Sequence, residues 1–195
     1  MISKEENILF AAEKLFAEKG FEGTSTREIA KAANVNISMI SYYFGSKEKL
    51  YEKLVEYRME EGQFFSKDIL ERTDINDWEK IEKIVDQFAG RVRHHKCFYR
   101  IMQREQLYTL NPHIVDFLKQ TKMGFISMYT KNPPIYLLHS TVSGTLFYAS
   151  NAKEMYKEFL NNTDDEDAFD EKYYTELNTH IKYLLKDLLG YEENK

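Results

Sequence analysis

Only three prolines and eight glycines interrupt 195 residues, and between them apolar side chains return every third or fourth position. A half-buried strand alternates with a period of two. A chain with so few breakers and a period of about 3.6 buries its apolar residues as packed amphipathic helices. The sequence therefore predicts an all-α protein of about nine helices.

The predicted helix boundaries follow from capping chemistry. Ser3 and Glu6 form a capping box ahead of Ile8, Ala12, Leu15 and Phe16, and Gly20 ends that helix. A second box, Ser25 with Glu28, opens a short helix carrying Ile29 and Ala33. Asn34-Val35-Asn36 makes a turn, because Asn tolerates the left-handed backbone region and is also a good N-cap. A third helix covers Ile37 to Phe44, and Gly45-Ser46 breaks and recaps the chain before a long fourth helix that runs to about Arg72. Asn76-Asp77 caps a fifth, a sixth spans Cys97 to Tyr108, and Asn111-Pro112 starts a seventh that carries Phe117. Pro133-Pro134 opens the eighth. The acidic run from Asn161 to Asp167 reads as a loop before the last helix, whose stripe is Phe169, Tyr173, Leu177, Ile181, Leu184 and Leu188, ending at Gly190.

Composition narrows the class. One cysteine, Cys97, allows neither an internal disulfide nor a multi-cysteine zinc site, and the N-terminus lacks the apolar core of a signal peptide, so a cytoplasmic location is expected. The longest uncharged stretch, 132–152, holds two prolines, His139 and several hydroxyl residues. It reads as a buried helix, not a membrane span. The net charge of −5 would oppose binding to a polyanion, but it is unevenly spread. Residues 1–50 balance at seven bases and seven acids, whereas residues 161–195 hold ten acids against four bases. One end of the molecule is thus suited to meet phosphate.

Two short helices joined by a three-residue turn outline a helix-turn-helix. The string GFEGTSTREIAKAANVNISMISYYFGSKEKLY resembles the DNA-binding domain of the TetR family of bacterial transcriptional regulators, with Gly20-Phe21, Thr24, Ile29-Ala30, Ala33, Val35, Tyr43-Phe44, Lys47-Glu48 and Leu50 at the family's spacing. The likeness covers about residues 5 to 55. Asn34 stands where the family's turn glycine is common, and Ser41 where many members have tyrosine.

If Val35, Ile40 and Phe44 face inward, the third helix turns Asn36, Ile37, Ser38, Met39, Ser41 and Tyr42 outward. Base edges in the major groove are read by amide hydrogen bonds and by apolar contact with thymine methyls, so Asn36, Ile37, Ser38 and Met39 are the base-reading candidates. Tyr42, Tyr43 and Lys47 are placed for phosphate, and Ser41 retains a hydroxyl donor. Thr26 and Arg27, at the start of the second helix, can meet a phosphate across the groove. The plainer reading of Tyr42 and Tyr43 is as surface tyrosines packed on neighbouring helices.

The resemblance implies a DNA-binding domain at 1–46 and a helical ligand-binding and dimerisation domain at 47–195. It also implies a homodimer through the last two helices, on an inverted-repeat operator of double-stranded DNA. Small residues in the eighth helix and the stripe of the last suit close helix approach between chains, although an intrachain core would use the same stripes. Phe88, Met102, Gln106, Phe117 and Phe147 are ligand-lining candidates for an aromatic or lipophilic small molecule; at helical spacing such residues also serve as plain core. The basic stretch from Arg91 to Arg104 could meet an anion, or the acidic first helix, or be a solvated face.

The sequence offers little catalytic chemistry. Cys97 beside His94 reads as a small buried hydrophobe more readily than as a nucleophile, adjacent His94 and His95 diverge on a helix, and no HExxH or glycine-rich phosphate loop occurs. No cofactor, metal or catalytic residue is expected. The function expected is a ligand-responsive DNA-binding transcriptional regulator, most simply a repressor released by its ligand. The alternative is a helical binding or scaffold protein that keeps the motif but has lost specific DNA binding.

Overall fold

The computed structural model describes residues 2–107, 135–159 and 165–190, excepting the side chains of 62–66, 106, 107, 135–140 and 166. Among these residues the regular elements are all helices: α1 (Lys4–Lys19), α2 (Thr26–Ala32), α3 (Ile37–Phe44), α4 (Lys47–Glu71), α5 (Asp77–His94), α6 (Lys96–Leu107), α7 (Ile135–Phe159) and α8 (Glu166–Leu189). The protein is all-α, as expected. The helix expected after Asn111, with Phe117, lies outside the described residues, as do Pro133-Pro134 and the side chain of Gln106. No described helix is long and apolar enough to cross a membrane.

The caps explain the boundaries. Ser3 and Glu6, Ser25 and Glu28, and Asn76 and Glu79 each form a reciprocal capping box, which satisfies two otherwise orphaned N–H groups per helix. Gly20 ends α1 at φ +78°, and Gly190 ends α8 in the left-handed region. At the other end of α8, Asp165 is the N-cap, so Glu166 and Asp167 of the acidic run already belong to the helix. Acids in a first turn complement the helix dipole there.

The chain divides into two compact units. Among the described residues, the first contains 2–64 and 96–107, and the second contains 65–95, 135–159 and 165–190. The boundary expected between 46 and 47 falls inside the first unit. The cause is packing: Leu50, Tyr51 and Leu54 of α4 are fully buried with Ile8, Leu9 and Phe16 of α1, and α6 packs along α1. Phe16 lies edge-on to Tyr51 at 5.0 Å and stacks on Phe21 at 5.7 Å. Each such buried ring or aliphatic chain contributes roughly 1.5–3 kcal/mol by leaving water.

Two acids are buried in this first unit. Glu13 of α1 meets Arg58 of α4 through Nε at 3.0 Å and Nη2 at 2.7 Å. Glu105 of α6 accepts from the Tyr51 hydroxyl at 3.0 Å, while its second carboxylate oxygen is buried with no hydrogen-bond partner. Burial holds the Glu105 carboxyl above its usual range, against the lowering effect of the Tyr51 bond and of Arg104. Beside it, Arg104 donates to the Phe16 carbonyl at 3.4 Å. A Cβ on Gly20 would stand 2.7 Å from the same guanidinium. Arg104 of the sixth helix thus meets the carbonyl end of the first.

In the second unit, Val85, Ala89 and Val92 of α5, Leu146 and Ala149 of α7, and Phe169, Tyr174, Ile181 and Leu185 of α8 form the core. Ile181 is 0% exposed, so this chain's own core uses it. The expected stripe of α8 is therefore split: Phe169 and Ile181 face inward, whereas Leu188 and the neighbouring Tyr183 are exposed. Asp170 gathers Lys153 and Arg93, the latter at 3.3 Å, and Lys182 bonds Asp86 at 2.7 Å. Arg93 and Arg104, both from the basic stretch, are thus engaged by protein groups.

Candidate nucleic-acid interface

The two short helices are fixed to one another from several sides. Ile29 of α2 and Ile40 and Phe44 of α3 are buried, and Val35 is half-buried. Between the helices Asn34 takes φ +53°, the left-handed conformation that the turn requires and that Asn adopts more readily than most residues. Asn7 of α1 reaches across to donate to the Ala33 carbonyl at 2.7 Å, closing the last turn of α2. Buried Thr24 donates to the Gly20 carbonyl at 2.8 Å. At the start of α2, Lys19 bonds Glu28 at 2.6 Å, and that bond, followed by those from Ser25, brings the Glu28 carboxyl down to about 2.

Burial of Ile40 and Phe44 turns the remainder of α3 outward. Asn36, Ser38, Ser41, Tyr42 and Tyr43 are exposed, as is Ile37 at 44%, and Met39 is half-buried. The Tyr42 and Tyr43 rings meet edge to face at 5.1 Å, with Tyr42 83% exposed. On α2, Arg27 is exposed and Thr26 half-buried. The DNA-contact candidates of α2 and α3 therefore share one unit and lie at or near its surface.

Asn36 of α3 and Lys47 of α4, both DNA-contact candidates, carry a further task. The Lys47 ammonium donates to the carbonyls of Phe21 at 2.9 Å and Thr24 at 3.1 Å, and sits 4.2 Å from the centre of the Phe21 ring. It ties the first turn of α4 to the connection between α1 and α2. The Asn36 side chain is the N-cap of α3, accepting from the Ser38 N–H at 2.9 Å and from the Ser38 hydroxyl at 2.8 Å. The capping tendency of Asn at a helix start was legible in the sequence. The Lys47 clamp, spanning more than twenty residues, was not.

The described ligand-lining candidates fall in both units. Phe88 of α5 and Phe147 of α7 meet at 6.2 Å in the second unit, whereas Met102 is buried in the first. Cys97 is half-buried, and burial raises its thiol pKa, which disfavours the nucleophilic thiolate. Among the described residues no group of three or more His, Cys, Asp or Glu side chains is arranged to hold a metal.

Comparison with known proteins bears on the same segment. Residues 8–54 match the model of the bacterial regulatory proteins of the tetR family. The Probable HTH-type transcriptional regulator YttP of Bacillus subtilis is 54% identical over 54 residues, 28% of this chain and 26% of that protein. The HTH-type transcriptional repressor NicS of Pseudomonas putida is 35% identical over 104 residues, 53% of this chain and 48% of that protein. The matched part thus spans between a quarter and a half of these relatives' length. Among solved structures, the ketosteroid transcriptional regulator KstR2 of Mycobacterium tuberculosis superposes with a TM-score of 0.68 at 18% identity, over 94% of this chain and 95% of that one. The transcriptional regulator FadR of Bacillus subtilis, solved with stearoyl-CoA, gives 0.67 at 18% identity, over 92% and 96%. Likeness at that identity concerns the fold. The N-terminal match covers the helices whose caps, turn and buried faces expose α3, and over those residues the chain is similar to the bacterial regulatory proteins of the tetR family.

Proposed function

We propose that this protein is a dimeric transcriptional repressor that binds an inverted-repeat operator and is released by a small molecule. The observation that carries the reading is the outward face of α3, which is uncharged and exposed while its inner face is locked by Ile40 and Phe44. Recognition helices present such a face to the major groove. Arg27, Tyr42, Tyr43 and Lys47 supply donors for flanking phosphates, with Thr26 and Ser41 adding hydroxyls, and Asn36, Ile37, Ser38 and Met39 face the bases. In this reading the domain at 1–46, together with Lys47 at the start of the second part, contacts DNA, and the remainder of 47–195 binds ligand and the second subunit in the cytoplasm.

The dimer surface is assigned to the outer faces of α7 and α8. Tyr148, Met155 and Phe159 of α7 and Tyr183 and Leu188 of α8 are all exposed large apolar side chains, and a second copy of the same bundle would cover them. The effector is aromatic or lipophilic, packing near Phe88 and Phe147, with Met102, Gln106 and Phe117 as further lining candidates. NicS is named as a repressor and the solved FadR holds stearoyl-CoA, which agrees with a repressor answering to a largely apolar ligand. Release requires that the ligand bind the DNA-free arrangement more tightly than the DNA-bound one.

A gel-shift with DNA from upstream of the protein's own gene, run at two salt concentrations, tests the reading. Sequence-selective retardation that weakens steeply with salt supports it. Equal, weak binding to every nearby promoter and to random DNA would remove specific recognition.

A further inference from the structure

We propose that α3 reads its operator half-site through thymine methyl groups on A·T pairs, with no bidentate reading of guanine or adenine by this helix. The proposal rests on the DNA-binding reading above and adds to it what the bases must be.

From Ala32 to Ser46 the chain carries no charged residue. The commonest specific contact in the major groove is Arg or Lys on the O6 and N7 of guanine, and α3 has neither. The next commonest is Asn or Gln spanning the N6 amino group and N7 of adenine, which requires the amide oxygen and the amide nitrogen to face the base together.

Asn36 is in position for that contact, but its oxygen is already committed. The Ser38 N–H stands 2.9 Å from Oδ1. A backbone N–H only donates, so the atom it meets must be the amide oxygen, and this fixes the orientation of the side chain. The Ser38 hydroxyl donates to the same oxygen at 2.8 Å. What remains on Asn36 is its amino group, a donor that any purine N7 or thymine O4 accepts and that therefore discriminates poorly. Asn36 is a positioning residue: it holds the first turn of α3.

The same geometry sets the polarity of Ser38. With its proton directed to Asn36, the Ser38 oxygen is left as an acceptor, suited to the N6 amino group of adenine or the N4 amino group of cytosine. On either side of it stand Ile37, 44% exposed, and Met39, half-buried. Two apolar side chains flanking an acceptor, on the first turn of a recognition helix, match what A·T pairs present: a methyl group from thymine and an amino group from adenine.

The test uses the full chain. Operator sites are selected from random double-stranded DNA, and each thymine of the selected half-site is then replaced singly by deoxyuridine, which lacks only the 5-methyl group. The expected result is a half-site of A·T pairs beneath α3, with about a fourfold loss of affinity at each contacted methyl, the equivalent of one buried methylene. Ile37→Ala should weaken binding to the thymine operator and cost no more on the operator whose contacted methyl is absent. Asn36→Ala, which loses the capping oxygen, should weaken binding to the thymine and deoxyuridine operators alike, as expected of a residue that holds the first turn and does not itself read a methyl group. A specific operator with an invariant guanine beneath α3, or one insensitive to every deoxyuridine substitution, would overturn the methyl reading and leave DNA recognition standing. If selection enriches no sequence, both fall.

Discussion

Tyr51→Phe removes one oxygen atom from the middle of the first unit and leaves the ring in place. Tyr51 is 1% exposed and Glu105 is 7% exposed, so neither the shape of the core nor its apolar area changes. What changes is the state of Glu105. In the native chain one of its oxygens accepts from Tyr51 at 3.0 Å and the other has no partner. Loss of a hydrogen bond to a charged group costs about 2 kcal/mol, roughly a thirtyfold shift in the folding equilibrium, when the buried acceptor finds no substitute.

The cost depends on pH, and its sign follows from the carboxyl. The folded pKa of Glu105 is raised above its unfolded value of 4.5 by burial, while the Tyr51 bond opposes the rise. A carboxyl raised in the folded state costs stability as pH climbs from the unfolded value through the folded one. Removing the Tyr51 bond raises the folded value further. The penalty of Tyr51→Phe is therefore largest well above both folded values and falls to about 1 kcal/mol, that of a neutral hydrogen bond, where Glu105 is protonated in both proteins. Urea unfolding at fixed protein and salt concentrations, at pH 8 and at pH 4, below the unfolded value of 4.5, measures this directly. Tyr51→Phe combined with Glu105→Met should recover most of the loss, since two apolar groups of similar shape leave nothing unpaired. An equal penalty at both pH values, or a double variant no more stable than the single one, would refute the reasoning.

Glu13→Ala should cost about 2 kcal/mol in thermal or urea unfolding, because Arg58 loses its two short bonds to Glu13 and keeps Glu61 at 3.3 Å, whereas Glu13→Met with Arg58→Met should lie within about 1 kcal/mol of the native protein; equal losses would show that the pair itself stabilises. Lys47→Met keeps an unbranched stem for the Phe21 ring but deletes the bonds to two carbonyls, and should lower stability by about 1 kcal/mol. It should also make the salt dependence of DNA binding shallower by about one unit, and an unchanged slope at equal folding would leave Lys47 with the clamp alone. On α8, Ile181→Asp places a charge at a position 0% exposed and should unfold the second unit, whereas Tyr183→Asp, at 70% exposure, should fold and sediment as a monomer. A dimeric Tyr183→Asp protein would move the subunit interface elsewhere.

The first unit was legible in the sequence to the extent that its structure is local. Capping boxes, the left-handed Asn34 and the glycine ends depend on neighbours within a few residues, and so does the inward set Ile40 and Phe44. The acids Glu13 and Glu105 were not legible, because a carboxylate is buried only where a distant partner meets it: Arg58 lies 45 residues from Glu13, and Tyr51 lies 54 from Glu105. The stripe of α8 shows a different limit. Helical periodicity finds an apolar face, but it does not tell a face turned to the chain's own core from one turned to a second subunit. Ile181 and Tyr183 are two residues apart, and one is 0% exposed while the other is 70% exposed.

Arg104 and Glu105 are adjacent on α6, yet one holds the carbonyl end of α1 and the other the ring of α4. Successive side chains on a helix diverge by about 100°, so α6 cannot turn about its axis in either direction without stretching one of these bonds. It can still slide or tilt by bending long side chains. Any ligand that turned α6 would have to break at least one bond, of the order of 1–2 kcal/mol. Such a step sets a threshold: ligands whose preference for the turned state is weaker than about tenfold would leave the population almost unmoved. The maximal response of this unit at saturating ligand would then be graded by how strongly a ligand distinguishes two orientations of one helix, and not by how tightly it binds.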